Sequence, residues 1–175
     1  MSETGLQQCH LRPMTVNDLE RVLEWRNHPD VRQFMLTRRE IGLDEHREWF
    51  QRCQQTGSRR LLIFQCHNVD LGFVGFSAAL ERHASEWGFY LAPGAPKGTG
   101  SKLGDSAIRH AFGSLRVHKI FGHTLGGNVR GIRFHRRMGF REEGVLREHH
   151  FDGERHQDIV CFGLLRDEWE SHSRG

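Results

Sequence analysis

The sequence predicts an α/β fold: a single domain over residues 1–175, with a mixed, mostly antiparallel sheet of about seven strands flanked by helices. Three observations carry this. The apolar period is helical in the first third, shortens to two from about residue 61, and alternates between the two afterwards. A glycine-rich turn, PGAPKGTG, separates a strand pattern from a helix pattern. Asp152-Gly153 lies between two long alternating runs, a strong hairpin signal.

The elements follow in order. Residues 9–13 (CHLRP) read as a short strand. A helix starts near Asn17-Asp18, whose side chains can cap it, and puts Leu19, Val22, Leu23 and Arg26 on one face. His28-Pro29 ends it, because proline disfavours helical geometry in the residue before it. A second helix spans 43–55, with Asp44 as cap and His46, Trp49, Phe50 and Cys53 on one stripe. Residues 61–67, 70–80 and 84–92 read as three consecutive strands. The glycine turn opens a helix to about Leu115. A strand over 118–125 precedes a short helix from Asn128 to Met138, closed by Gly139. Strands over about 140–150 and 155–166 form the hairpin.

The 175 residues are enough to bury a substantial core. Lys+Arg 25 against Asp+Glu 22 gives a formal net charge of +3 with no long basic block, which fits a phosphorylated small molecule better than a nucleic acid. No apolar run reaches the ~18 residues of a membrane span, and the start has no signal-peptide pattern. The expectation is therefore a cytoplasmic protein with neither nucleic-acid nor membrane partners. Cys9, Cys53, Cys66 and Cys161 are far apart with no CxxC, so reduced core thiols are expected. The densest histidine group is His149-His150 with His156. Neighbours on a strand point to opposite faces, so no metal is expected there.

The glycine stretch carries the chemistry. A strand, then Gly98-Thr99-Gly100-Ser101, then a helix presents free N–H donors and a helix N-terminus to a phosphate, and Lys97 and Lys102 add charge. It is neither a Walker loop nor a dinucleotide fingerprint. Alone, a tight β-α turn would read the same way.

With the element order and the later NVRGIRFHRRMGF, the chain resembles the GNAT family of acetyl-CoA-dependent N-acetyltransferases. The family's pyrophosphate loop, Q/R-x-x-G-x-G/A, aligns with Ala95 to Gly100, alanine replacing the first polar residue. Its later signature aligns with Asn128, Phe134-His135 and Gly139-Phe140. The resemblance implies acetyl-CoA as co-substrate, held by Lys97, Gly98, Thr99, Gly100, Ser101, Lys102, Asn128 and Arg137. It also implies that backbone amides around Phe89, Tyr90 and Leu91 hold the thioester oxygen, on a strand that Gly88 and Pro93 help to disrupt.

Acetyl transfer to an amine needs a neutral amine, a polarised carbonyl and a protonated leaving thiolate. His135 stands where the family usually has a tyrosine acid, and the one tyrosine is Tyr90. Histidine can donate a proton, but a helix histidine without a catalytic role fits the same position. His123, on the strand over 118–125, is the candidate base, with Ser77 and Glu86 as alternatives.

The N-terminal third is similar to sugar N-acetyltransferases of the PseH type, through WRNHP, a following methionine, and a histidine three residues before an aromatic. That similarity implies transfer to the 4-amino group of UDP-4-amino-4,6-dideoxy-N-acetyl-β-L-altrosamine, in pseudaminic acid synthesis for flagellin glycosylation. Arg26 and Arg32 suit a diphosphate. His46 and Trp49 suit a base, Met35 fills the pocket, and Tyr90 offers a hydroxyl. Two alternatives stay open: a ribosomal-protein N-terminal or polyamine N-acetyltransferase, and a CoA-binding module without catalysis. Exposed strand edges make a homodimer plausible.

Overall fold

The computed structural model describes residues 9–77 and 83–173. Strand β1 (Cys9–Pro13) leads through a 3₁₀ turn, Val16–Asp18, into α1 (Leu19–Asn27), α2 (Pro29–Arg32) and α3 (Leu43–Thr56). Then come β2 (Arg59–Cys66), β3 (Val69–Ser77), β4 (Ala84–Leu91), α4 (Thr99–Arg109), β5 (Lys119–Leu125), α5 (Val129–Arg137), β6 (Arg141–Phe151), β7 (His156–Leu165) and α6 (Arg166–Ser173). The strands form one seven-stranded sheet in the order β1-β2-β3-β4-β5-β7-β6, with β4 and β5 the one parallel neighbouring pair. This is the predicted α/β class.

Alternation along the strands divides the core between the sheet's two faces. Leu62, Phe64, Val74, Phe76, Trp87 and Ile120 pack beneath α4 and α5. Leu61, Ile63 and Phe73 meet Val22, Trp25, Phe50 and Cys53 of α1 and α3. Phe64 and Phe76 are fully buried, each contributing on the order of 2–3 kcal/mol.

Asp18, 3 % exposed, ties β1 to α1. Its carboxylate accepts from the Thr15 N–H at 2.8 Å and from the Arg12 guanidinium at 2.8 Å and 2.9 Å. Asp70 at the start of β3 takes the same guanidinium at 2.8 Å. Asp18 therefore closes the 3₁₀ turn that precedes α1, rather than capping α1 itself by its side chain.

Several expectations are corrected. Cys9 and Cys66 are not reduced: they face each other across the β1–β2 ladder and form a disulfide, leaving Cys53 and Cys161 free. The N-cap of α3 is Gly42, and Asp44 lies in the first turn. The helix after the glycine turn changes to a π-helical turn over His110–Ser114. Short α2, with Pro29 at its start, and C-terminal α6 carry too few apolar residues to show a period. The predicted strand over 70–80 is observed to Ser77, and its remainder lies outside the described residues. Strict alternation also lapses in β6, where the pairing register shifts between Leu146 and His150. Among the described residues no group of three His, Cys, Asp or Glu stands together for a metal, and no helix is long and apolar enough to cross a membrane.

Candidate active site

The sheet parts at its centre. On one edge β4 pairs with β3 from Phe76↔Trp87 to Gly72↔Leu91. On the other it pairs with β5 only from Ala84↔Lys119 to Glu86↔Phe121, while β5 stays paired with β7 as far as Leu125↔Ile159. Along Trp87–Leu91, alternate residues thus turn their N–H and C=O groups into a gap between β4 and β5. Phe89, Tyr90 and Leu91 lie on this stretch.

The glycine turn stands at the end of the same strand. Gly98 has φ +87°, where L side chains are strained, and it is the N-cap of α4. Around its missing Cβ no heavy atom lies within 4 Å, so the loop backbone is open to approach there. The Thr99 N–H goes to the Pro96 carbonyl at 3.2 Å and the Lys102 N–H to the Gly98 carbonyl at 3.3 Å. The N–H groups of the first turn have no helical acceptor of their own, and Lys97 and Lys102 are exposed beside them. An open backbone turn, a helix N-terminus and two exposed lysines are the features that suit a pyrophosphate. Asn128 caps α5, its Oδ1 accepting from the Gly131 N–H at 2.9 Å. Arg137 lies over the Phe134 ring, 5.7 Å from its centroid.

His135 is 5 % exposed. Its ring stacks on Phe162 at 4.7 Å and meets the edges of Trp87 and Phe140. Nδ1 is 2.9 Å from the Gly131 carbonyl. A carbonyl only accepts, so Nδ1 carries the proton and in the neutral ring Nε2 is an acceptor. Burial pushes the imidazole pKa down, against a weaker upward pull from the Gly131 carbonyl.

The face covered by α1 and α3 holds the other candidates. Tyr90 stacks on Phe73 at 5.0 Å, and Trp49 meets Phe73 edge-on at 6.3 Å. His46 stacks on Trp49 at 5.1 Å. Phe73, which the sequence does not single out within its strand, is the ring that joins α3 to Tyr90. Arg26 donates from Nη2 to the Thr37 carbonyl at 2.8 Å. Its buried Nη1, and the buried Nε2 of His46, have no hydrogen-bond partner. The two groups sense each other: burial depresses the pKa of both, and the Arg26 charge lowers that of His46 further. Burial raises the Tyr90 phenol, and the Arg26 charge opposes that rise. Arg32 pairs instead with Glu40 at 3.0 Å. Met35 is half-buried in the turn after α2.

His123 and Glu86 project from the same face at the point where the strands part, Nδ1 to Oε1 3.0 Å. Ser77 Oγ accepts the Glu86 N–H at 2.8 Å, which fixes the end of β3 to β4. Two residues read as alternatives from sequence are therefore one hydrogen-bonded pair with Ser77 behind it.

Comparison with known proteins agrees with this geometry. A family profile described as "Acetyltransferase (GNAT) domain" matches residues 8–141. The chain is 29% identical over 124 residues to acetyltransferase PseH of Campylobacter jejuni subsp. jejuni serotype O:23/36 (strain 81-176), covering 70% of this chain and 76% of that protein. It is 25% identical over 169 residues to spermidine N(1)-acetyltransferase of Vibrio cholerae serotype O1, 95% of this chain and 98% of that one. The crystal structure of a Vibrio cholerae spermidine N-acetyltransferase with CoA and spermine superposes with a TM-score of 0.87 at 23% identity, over 94% of this chain and 99% of that one. With the family profile spanning most of its length, the chain belongs to the GNAT family and is an acetyl-CoA-dependent N-acetyltransferase.

Proposed function

We propose that the chain transfers acetyl to the 4-amino group of UDP-4-amino-4,6-dideoxy-N-acetyl-β-L-altrosamine, a step in pseudaminic acid synthesis for flagellin glycosylation. The observation that carries this is the pair of buried, unpartnered nitrogens, Arg26 Nη1 and His46 Nε2, beside Tyr90. Buried polar groups without partners are costly, and a ligand that supplies acceptors removes the cost. A half-buried guanidinium with one buried, unpartnered nitrogen favours an anionic or acceptor-rich substrate such as a nucleotide sugar. The similarity to PseH supports the same reading.

Acetyl-CoA supplies the acetyl group as an activated thioester. Gly98, Gly100 and Ser101 N–H groups with Lys97 and Lys102 hold the pyrophosphate, and Arg137 lies on the same side. Backbone N–H groups of Phe89, Tyr90 or Leu91 in the gap polarise the carbonyl. The amine nitrogen attacks the thioester carbon, His123 takes its proton at Nε2 while Glu86 holds Nδ1–H, the C–S bond breaks, and the proton passes from His123, directly or through water, to the departing coenzyme A thiolate. His135 keeps the Nδ1–H tautomer and packs. Trp49 and Met35 shape the wall around the base. Arg32 reaches the diphosphate only by leaving Glu40.

A polyamine substrate is the second reading, favoured by the similarity to spermidine acetyltransferases. It conflicts with Arg26 itself, whose half-buried guanidinium is held by the Thr37 carbonyl rather than a carboxylate and repels a polycation. The test is direct: Arg26→Ala raises KM for the nucleotide sugar by about tenfold and leaves the acetyl-CoA affinity unchanged. Unchanged constants for both would reject the assignment.

A further inference from the structure

We infer that Arg38 and Asp152 are positioning residues for the substrate face: the tip of the β6–β7 hairpin holds the loop after α2, and through it Arg26. This rests on the reading of Arg26 as a substrate group. Residues 33–42 form no helix or strand. Their base is closed by Asn27, whose side chain accepts from the Ile41 N–H and donates to its carbonyl, both at 2.9 Å. Beyond that base, Arg38 Nη1 lies 3.0 Å from Asp152 Oδ2, and the carboxylate is 2 % exposed.

Asp152 is firmly set. Its Oδ1 accepts the Glu154 and Arg155 N–H groups at 2.9 Å each, which fixes the hairpin turn. Its Oδ2 also accepts from the Gln157 side chain. The Arg38 guanidinium thus joins a carboxylate that already holds the hairpin turn. The residue before Arg38 is Thr37, and the Thr37 carbonyl is the acceptor that holds Arg26 Nη2. The chain of contacts runs Asp152, Arg38, Thr37 carbonyl, Arg26, and it leaves the buried Arg26 Nη1 without a partner beside His46 and Tyr90. The C-terminal hairpin, far from the acetyl-CoA loop in sequence, in this way sets the direction of an arginine on α1.

Two variants test this. Arg38→Ala removes the ion pair. Asp152→Asn removes the charge but keeps an oxygen for the turn N–H groups. Each is expected to raise KM for the UDP-4-amino-4,6-dideoxy sugar about tenfold, with kcat and the acetyl-CoA KM within about twofold. Hydrogen exchange at residues 36–41 is expected to accelerate in both without any substrate present, and Arg38→Lys to restore most of the loss. A sugar KM within about twofold of the parent in both variants, while Arg26→Ala raises it, overturns the inference. If Arg26→Ala itself leaves KM unchanged, the substrate reading is at fault. The exchange data then decide the latch alone: unchanged exchange at 36–41 overturns it, and accelerated exchange supports it.

Discussion

His123 Nδ1 lies 3.0 Å from Glu86 Oε1, immediately beyond the last parallel pair of β4 and β5 at Glu86↔Phe121. The carboxylate accepts from Nδ1–H and leaves Nε2 as the acceptor nitrogen, the base in the proposed mechanism. His123→Gln is expected to lower kcat about 10²-fold, and Glu86→Gln about tenfold, with little change in acetyl-CoA affinity. Steady-state kinetics check this, and full activity in both variants would remove the pair from the mechanism.

His135 is expected to behave otherwise. Its Nδ1–H is committed to the Gly131 carbonyl and burial pushes its pKa down, so His135→Phe should keep kcat within about threefold. The loss of the Gly131 hydrogen bond should lower the melting temperature by a few degrees. A 10²-fold fall in kcat with an altered acidic limb of the pH–rate profile would instead restore His135 as the acid.

The proposed pyrophosphate loop can be tested at Gly100, where an added Cβ would stand 3.7 Å from Leu91 and 3.9 Å from Phe134, ordinary contact distances. Gly100→Ala should therefore bind acetyl-CoA, whereas Gly100→Asp places a carboxylate against the phosphates and should abolish binding in calorimetry. Equal affinity in the two variants would place the pyrophosphate elsewhere.

Much of this was legible in the sequence. Alternation located the strands, and Gly98, Gly139 and Asp152-Gly153 marked turns because glycine and aspartate have local reasons to be there. The disulfide was not legible: Cys9 and Cys66 meet only through the β1–β2 register. Nor was the pairing of His123 with Glu86, which depends on where two parallel strands separate. Arg38 carries no local signal, and its partner belongs to a hairpin at the other end of the chain. His135 occupies a catalytic position in the family pattern, yet its environment is set by Phe162 and Trp87 from distant strands.

Acid should weaken the fold through Asp18. The Arg12 hydrogen bond lowers this carboxyl to about 2 despite its burial, with Thr15 assisting. A depressed folded pKa stabilises above the unfolded value near 4 and loses that contribution as pH falls through the folded value. Unfolding free energy should drop by on the order of 2 kcal/mol between about pH 5 and pH 2 from this group. Asp18→Asn should flatten that part of the curve, and an unchanged slope would contradict the assignment.

Thiol counting checks the cross-strand bond. Alkylation of the unfolded, unreduced protein should label Cys53 and Cys161 alone. The bond closes a loop with a sequence separation of 57, so reduction should cost about 4 kcal/mol in the chain-entropy picture and lower the melting temperature markedly. Four labelled cysteines before reduction would contradict it.

The most direct measurement is a parallel turnover assay with acetyl-CoA and, separately, the UDP-4-amino-4,6-dideoxy sugar and spermidine, following thiol release and product mass. The unpaired, half-buried Arg26 guanidinium predicts thiol release with one acetyl added to the sugar and none with spermidine. Turnover of spermidine without turnover of the sugar would contradict the assignment of Arg26 and His46, and with it the proposed substrate.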